Sequence, residues 1–329
     1  MPIAGQFLFR LREMGARPML IFEHEKTYWK SVESLPEANL GKVGEHEWAA
    51  MEKAKAYVFI PGPDDLSRIW KNPAKFRAST RYNEEWYERA KRYRLKAARI
   101  GLGYASVHRA RAYKLSLLAW QKMLLAASTI DFDMLRNQAM KVASFMKNGE
   151  VKITAPNGTD LKLRLVGREP VGEDCIVDSE DLDKGRNVAN IPGGNILVCP
   201  DETYADGSVI FDRPTAYMGK WVGGVHLTFK NGMVTDYKVR QNADRFKTSY
   251  ENASGEKNQI ALVGIGLNAR ARTGFLQDNI TAGVVTVAIG GNDDLGGANK
   301  TDFYFPGVIT KATLTIDGNT IVRNGKLTV

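Results

Sequence analysis

From Val151 to the C-terminal residue, apolar and polar residues alternate in short runs that are cut by glycine, asparagine and aspartate. A period of two confines this half of the chain to β-sheet, because successive side chains of a strand point to opposite faces. Val151-Lys152-Ile153-Thr154 and Leu161-Lys162-Leu163-Arg164-Leu165 alternate strictly, and Pro156-Asn157-Gly158 between them reads as a hairpin turn. Further strands are expected at 195–199, 208–212, 224–230, 233–239, 260–265, 284–290, 308–316 and 320–323. Asn231-Gly232, Asp317-Gly318 and Asn324-Gly325 supply the residue pairs that two-residue hairpins demand. Almost no helical period is expected in this half.

The first half reads differently. Helices are expected at 3–15, 47–55, 83–100, 111–125 and 131–147, where apolar residues recur every three or four positions. Pro18 to Phe22 reads as a short buried strand, and Ala56 to Ile60 as another. Helices alternating with strands across short turns indicate an α/β layer with a mainly parallel sheet. The expected organisation is an α/β domain over 1–148 and a β-rich, α+β domain over 149–329.

With 329 residues, 43% of them hydrophobic, the chain can bury a sizeable core. Cys175 and Cys199 form neither a CxxC pair nor a disulfide framework. The N-terminus lacks the basic-then-apolar pattern of a signal peptide, and no apolar run approaches the roughly 20 residues of a membrane span. A cytoplasmic location without a membrane span is therefore expected.

The net charge of +9 is uneven. Arg68 to Lys122 holds fifteen Lys and Arg against Glu84, Glu85 and Glu88, an excess of twelve, so the remainder is slightly acidic. Aromatic residues interleave with these cations. Arg89, Arg92, Lys96, Arg99, Arg109 and Arg111 are the candidates for contacting nucleic acid or another polyanion. The competing reading is a helix interface of aromatics with the cations as its wet face.

Other chemistries find little support. There is no Gly-x-Ser-x-Gly elbow, and Gly101-Leu102-Gly103 is too short for a dinucleotide loop. His24, His46, His108 and His226 each stand alone, and neither His nor Cys occurs after His226. Yet the last third carries Gly264-Ile265-Gly266-Leu267-Asn268, Gly283 to Asn292 and Gly296-Gly297-Ala298-Asn299, a chain of turns of the kind that surrounds a metal site.

Those motifs, with Asn190-Ile191-Pro192-Gly193-Gly194, Cys199-Pro200-Asp201-Glu202, Ala205-Asp206-Gly207 and Gly158-Thr159-Asp160-Leu161, resemble the thermophilic metallo-aminopeptidases of the aminopeptidase T type. The resemblance is specific from about residue 145 onward. Before that it is weaker, and the chain starts in the helix that follows the family's opening strand. It implies a homodimer, an α/β domain, and a β-rich catalytic domain with two divalent metals that activate a water.

The resemblance also implies positions for the ligands. A Glu should follow Asn-Ile-Pro-Gly-Gly; here it is Asn195. A second Glu should stand two positions before Gly264; here it is Leu262. The position of a strand His is Thr286. The positions of a later His and Asp are Tyr304 and Pro306. Leu262 and Pro306 offer no donor, and neutral oxygens hold transition metals poorly. Asp278, Asp293, Asp294 and Asp302 remain as oxygen ligands for calcium or magnesium, or as solvated turn carboxylates. A related branch, the dihydroxypyridine-type iron dioxygenases, also needs imidazoles near the end of the chain.

The expectation is therefore a degenerate family member with no metal cofactor, no catalytic residue, and a structural, scaffold or assembly role as a homo-oligomer, a dimer or larger. The alternatives are an active aminopeptidase with a rearranged site and a nucleic-acid- or ribosome-associated protein using residues 68–122.

Overall fold

A computed structural model describes residues 2–217 and 219–329. The elements of the first half are α1 (Pro2–Glu13), α2 (Glu25–Ser34), α3 (Glu45–Lys53), β1 (Ala56–Phe59), α4 (Pro73–Ser79), α5 (Tyr82–Tyr93), β2 (Lys96–Ile100), α6 (Val107–Ala112), α7 (Leu117–Ser128) and α8 (Phe132–Phe145). The second half contains β3 (Asn148–Thr154), β4 (Asp160–Val166), β5 (Val171–Glu173), α9 (Ser179–Asp183), β6 (Val188–Ile191), β7 (Asn195–Val198), β8 (Ala205–Ile210), β9 (Thr215–Tyr217), β10 (Lys220–Val222), β11 (His226–Lys230) and β12 (Met233–Lys238). It ends with α10 (Ala243–Asn252), β13 (Ile260–Gly266), β14 (Val285–Gly290), β15 (Tyr304–Ile309), β16 (Thr313–Ile316), β17 (Asn319–Arg323) and β18 (Lys326–Leu327).

The chain forms two compact units. The smaller comprises residues up to Lys42 together with Arg68–Asn83. Its core is Trp29 and Val32 of α2 with Ala78 of α4; Trp29 stacks on Phe76 with ring centroids 6.2 Å apart, and Tyr28 shares a 2.8 Å hydrogen bond with Ser79.

The larger unit comprises Val43–Ser67 and Glu84–Val329. Three parallel strands, in the order β1-β2-β6, form its first sheet, with Phe59, Arg99 and Asn190 in one row. An eight-stranded sheet runs β12-β11-β8-β4-β3-β16-β17-β18, and a five-stranded antiparallel sheet runs β15-β14-β13-β7-β5. Ile153, Leu161 and Leu163 from the eight-stranded sheet and Val263, Ile265, Val285 and Val287 from the five-stranded one share a single buried core. α8 packs on β5 and β7. The fold is mixed α/β, and no helix among the described residues is long and apolar enough to cross a membrane.

The expected hairpins are present, including the one at Pro156-Asn157-Gly158 between β3 and β4. Asn231-Gly232, Asp317-Gly318 and Asn324-Gly325 all have positive φ at both positions, as a primed turn requires.

Five expectations are corrected. The helix expected over 83–100 ends at Tyr93; Arg94 turns left-handed (φ 51°) and residues 96–100 become the central strand of the parallel sheet, where pairing on both sides outweighs helix propensity. The helix at 111–125 is two, broken at Lys114 (φ 53°) and restarted by Ser116, whose Oγ accepts from Ala119 N. The run 308–316 is two strands in different sheets, β15 and β16. Residues 243–252 are helical; Phe246 is fully buried between Tyr237 and Tyr250, which the strand-like context concealed. Pro18–Phe22 is neither buried nor paired as a strand.

Candidate functional site

The register of the five-stranded sheet gathers the expected ligand positions. Asn195 faces Gly266, Gly264 faces Thr286, Leu262 faces Ala288, Ala288 faces Pro306, and Gly290 faces Tyr304. Directly opposed residues share a face, as do residues two apart. Asn195, Leu262, Thr286, Tyr304 and Pro306 therefore all lie on one face of this sheet. The opposite face belongs to the main core.

That face is filled. Leu262 and Ala288 are fully buried and form a small apolar cluster with Ala261, and Leu197 and Leu295 pack against it. Leu197 leans across Gly264 into the space a Cβ there would need. Asn195 and Thr286 are each 3% exposed, and Asn195 Oδ1 and Thr286 Oγ1 find no hydrogen-bond partner among the described residues. Although 39% of Tyr304 is exposed, burial around its hydroxyl pushes the phenol pKa up, and Asp294 adds to the effect. Such a phenol is a poor anionic ligand. Two groups without a donor, two neutral oxygens and a protonated phenol do not fit a pair of catalytic divalent ions. Among the described residues no group of three or more His, Cys, Asp or Glu is placed to hold a metal ion. Asp278 accepts from Gly274 N, Phe275 N and Arg213 Nε, so its carboxylate ties a loop.

The glycine-asparagine motifs have a different task. Asn268, Asn292 and Asn299 are fully buried. Asn268 Nδ2 donates to Ala127 O (3.0 Å) and Gly193 O (2.8 Å), while its Oδ1 accepts from Arg270 N and Ala271 N. Asn292 Nδ2 donates to Glu202 Oε1 and Ala261 O, and its Oδ1 accepts from Asn299 N. Asn299 Nδ2 donates to Ile260 O and Gly290 O. Glu202 in turn receives Arg168 in bidentate geometry (2.6 and 2.8 Å) and Ala298 N (2.8 Å). These side chains satisfy backbone groups that sharp turns leave unpaired.

One carboxylate on the filled face was missed in the sequence. Glu173, opposite Asn195, receives Asn190 Nδ2 at both oxygens, 2.8 Å each. Burial pushes its pKa up, only partly offset by that hydrogen bond and by the charge of Arg99. Nothing in Val171-Gly172-Glu173 signals this, since the pairing with Asn190 joins two sheets. A carboxyl with a raised folded pKa weakens the fold once pH exceeds its unfolded value of about 4.3, and the cost is complete above the folded pKa. Glu173→Gln should therefore hold or raise stability at pH 7 to 8 and flatten its decline between pH 4 and 7, as urea unfolding at several pH values would show.

The six candidate cations do not form one open patch. Arg89 donates through Nε and Nη2 to Glu85 Oε1 and lies 4.6 Å from the Trp48 ring centroid. Arg92 lies over Tyr93, and Arg99 lies over Phe59 and donates to Tyr87. Arg109 is 3% exposed and donates to Pro63 O, so it is a packing residue. Lys96 and Arg111 are exposed.

A parallel sheet joined to large antiparallel sheets, with asparagine-bonded turns at the strand ends of one, makes a mixed α/β fold like that of aminopeptidase T. The profile of the thermophilic metalloproteases, M29, matches residues 10–259, and the chain belongs to that family. The motifs at 264–299 lie beyond that match. Among solved structures, wild-type AmpT from Thermus thermophilus is similar with a TM-score of 0.71 and 16% identity, over 94% of this chain and 86% of that one. A 2,5-dihydroxypyridine dioxygenase from Pseudomonas putida KT2440 is similar with a TM-score of 0.54 and 14% identity, over 94% and 99%. Both likenesses are of fold. No curated protein matches the chain.

Proposed function

We propose that this chain is a non-catalytic member of the M29 family, retained for assembly as a homo-oligomer. One observation carries the reading: the five positions where the family resemblance implies ligands lie on one sheet face and hold Asn, Leu, Thr, Tyr and Pro, with Leu197, Leu262, Ala288 and Leu295 occupying that face. Restoring a metal pair would need new ligands and also the removal of a buried apolar cluster. The frame that remains, two packed sheets with bonded turns, suits a structural role.

Purified protein should carry less than about 0.1 equivalent of zinc, cobalt or manganese after incubation and desalting. It should release no leucine from leucyl substrates with any of these ions. Stoichiometric metal with turnover above the blank would establish the rearranged hydrolase instead.

A further inference from the structure

The smaller unit carries exposed apolar side chains and an excess of positive charge on the same stretch of chain. From Gly5 to Thr27 no residue is buried. Phe7, Leu11 and Met14 recur at helical spacing along α1 and its last turn, so they share one side, with Arg10 and Arg12 flanking them. Phe7 and Met14 are 43 and 82% exposed, and Met19, Leu20, Ile21 and Phe22 lie between 46 and 64%. Single apolar residues on a surface need no cause, but a run of this kind marks a contact site. Arg12, Arg17 and Pro18, which fall between the two apolar stretches, line an open cleft of about 370 Å³, and Arg17 Nη1 donates there to Gly15 O and Ala16 O. Residues 1–42 and 68–83 together hold eleven Lys and Arg against five Glu, an excess of six out of the chain's nine.

We propose that this unit docks on an anionic phospholipid surface. The apolar side chains of 7–14 and 19–22 enter the boundary between headgroups and acyl chains, and a lipid phosphate sits between Arg12 and Arg17. The combination of chemistries selects this partner. An acidic protein would meet the cations but gain little from apolar side chains spread over a helix and a loop. A neutral apolar partner would leave the cations unmatched. An acidic bilayer offers acyl chains beneath a layer of phosphates, and interfacial segments bury an apolar face roughly 5–10 Å deep with Arg and Lys at headgroup level. No helix among the described residues is long and apolar enough to span a bilayer, so the attachment is peripheral and weakens with salt. Docking of this kind neither requires nor excludes the assembly reading.

The full chain should float with vesicles of phosphatidylcholine containing about one-third phosphatidylserine, stay behind with phosphatidylcholine alone, and dissociate as salt is raised. Arg12→Gln and Arg17→Gln should each weaken the partition about fivefold, and Leu20→Asp with Phe22→Asp should lower it at least about tenfold. Lys162→Gln removes the same charge from an exposed position of the larger unit and should change it by no more than about twofold. All these positions are exposed, so an unchanged urea midpoint will show that each variant folds. A fluorophore on Ile21→Cys should shift to the blue with the acidic vesicles only; Cys175 and Cys199 are buried and give little background. No binding, equal binding to neutral and acidic vesicles, or equal loss in Lys162→Gln and Arg17→Gln would overturn the proposal. A doubled mass by light scattering that Leu20→Asp with Phe22→Asp returns to one chain would place a second copy on this face and overturn it as well.

Discussion

Asn268→Ala should remove a large part of the stability of the larger unit. The fully buried amide serves four backbone groups: two carbonyls, Ala127 O at the end of α7 and Gly193 O before β7, and two amides, Arg270 N and Ala271 N. Truncation leaves the two carbonyls and Arg270 N without this partner, while Ala271 N keeps its bond to the Asn268 carbonyl. Each unsatisfied buried group costs about 1–3 kcal/mol, so the sum is on the order of 3 kcal/mol or more. Against a typical net stability of about 5–15 kcal/mol, that is a large fraction. The urea midpoint should fall by at least about a third, or the variant should fail to accumulate in soluble form. Asn268→Asp should do nearly as much harm, because a carboxylate can accept from the two amides but would confront the two carbonyls. A midpoint within error of the parent would show that these turns hold without the amide.

Glu202→Ala should cost nearly as much. Glu202 is 6% exposed and accepts from Arg168, Asn292 and Ala298. Arg168 keeps a quarter of its side chain in water and Pro200 O as a partner, so the loss falls below that of a fully buried pair, at about 2–3 kcal/mol. The pH dependence follows from the same contacts. Burial alone would raise the Glu202 pKa, but the hydrogen bonds from Arg168, Ala298 and Asn292 outweigh it and hold the value below the ordinary carboxylate range. Its contribution is thus complete above an unfolded pKa of about 4.3 and is lost as pH falls through the lower folded value. Unfolding free energy measured from pH 7 down to pH 3 should drop less steeply in Glu202→Gln than in the parent. An equal slope would mean that Glu202 is not the group responsible. Glu173 and Glu202 should respond with opposite signs, although both are buried glutamates.

The strands were legible where periodicity and turn chemistry coincide. Leu161 to Leu165 alternates with every second side chain buried, and the three glycine-containing hairpins lie where their dipeptides predict. Failures arose where tertiary pairing decides. Lys96-Ala97-Ala98-Arg99-Ile100 continues a helical pattern by composition, yet it is a strand because β1 and β6 flank it. Pro18-Met19-Leu20-Ile21-Phe22 looks like a buried strand, and its exposure follows from packing alone. At the candidate site, the identities of Asn195, Leu262, Thr286, Tyr304 and Pro306 could be read from the sequence. That they share one face, and that Leu197 and Leu295 close it, depends on registers between strands far apart in the chain. The same holds for Glu202, which looks like a turn acid and is instead a buried junction.

The residues that hold the turns are separate from those that fill the sheet face, and this has a mechanical consequence. Amides that hold loops by their own side chains free the neighbouring strands from any duty to keep an ion in place. Substitutions on the filled sheet face should therefore leave the loops held by Asn268, Asn292 and Asn299 in place.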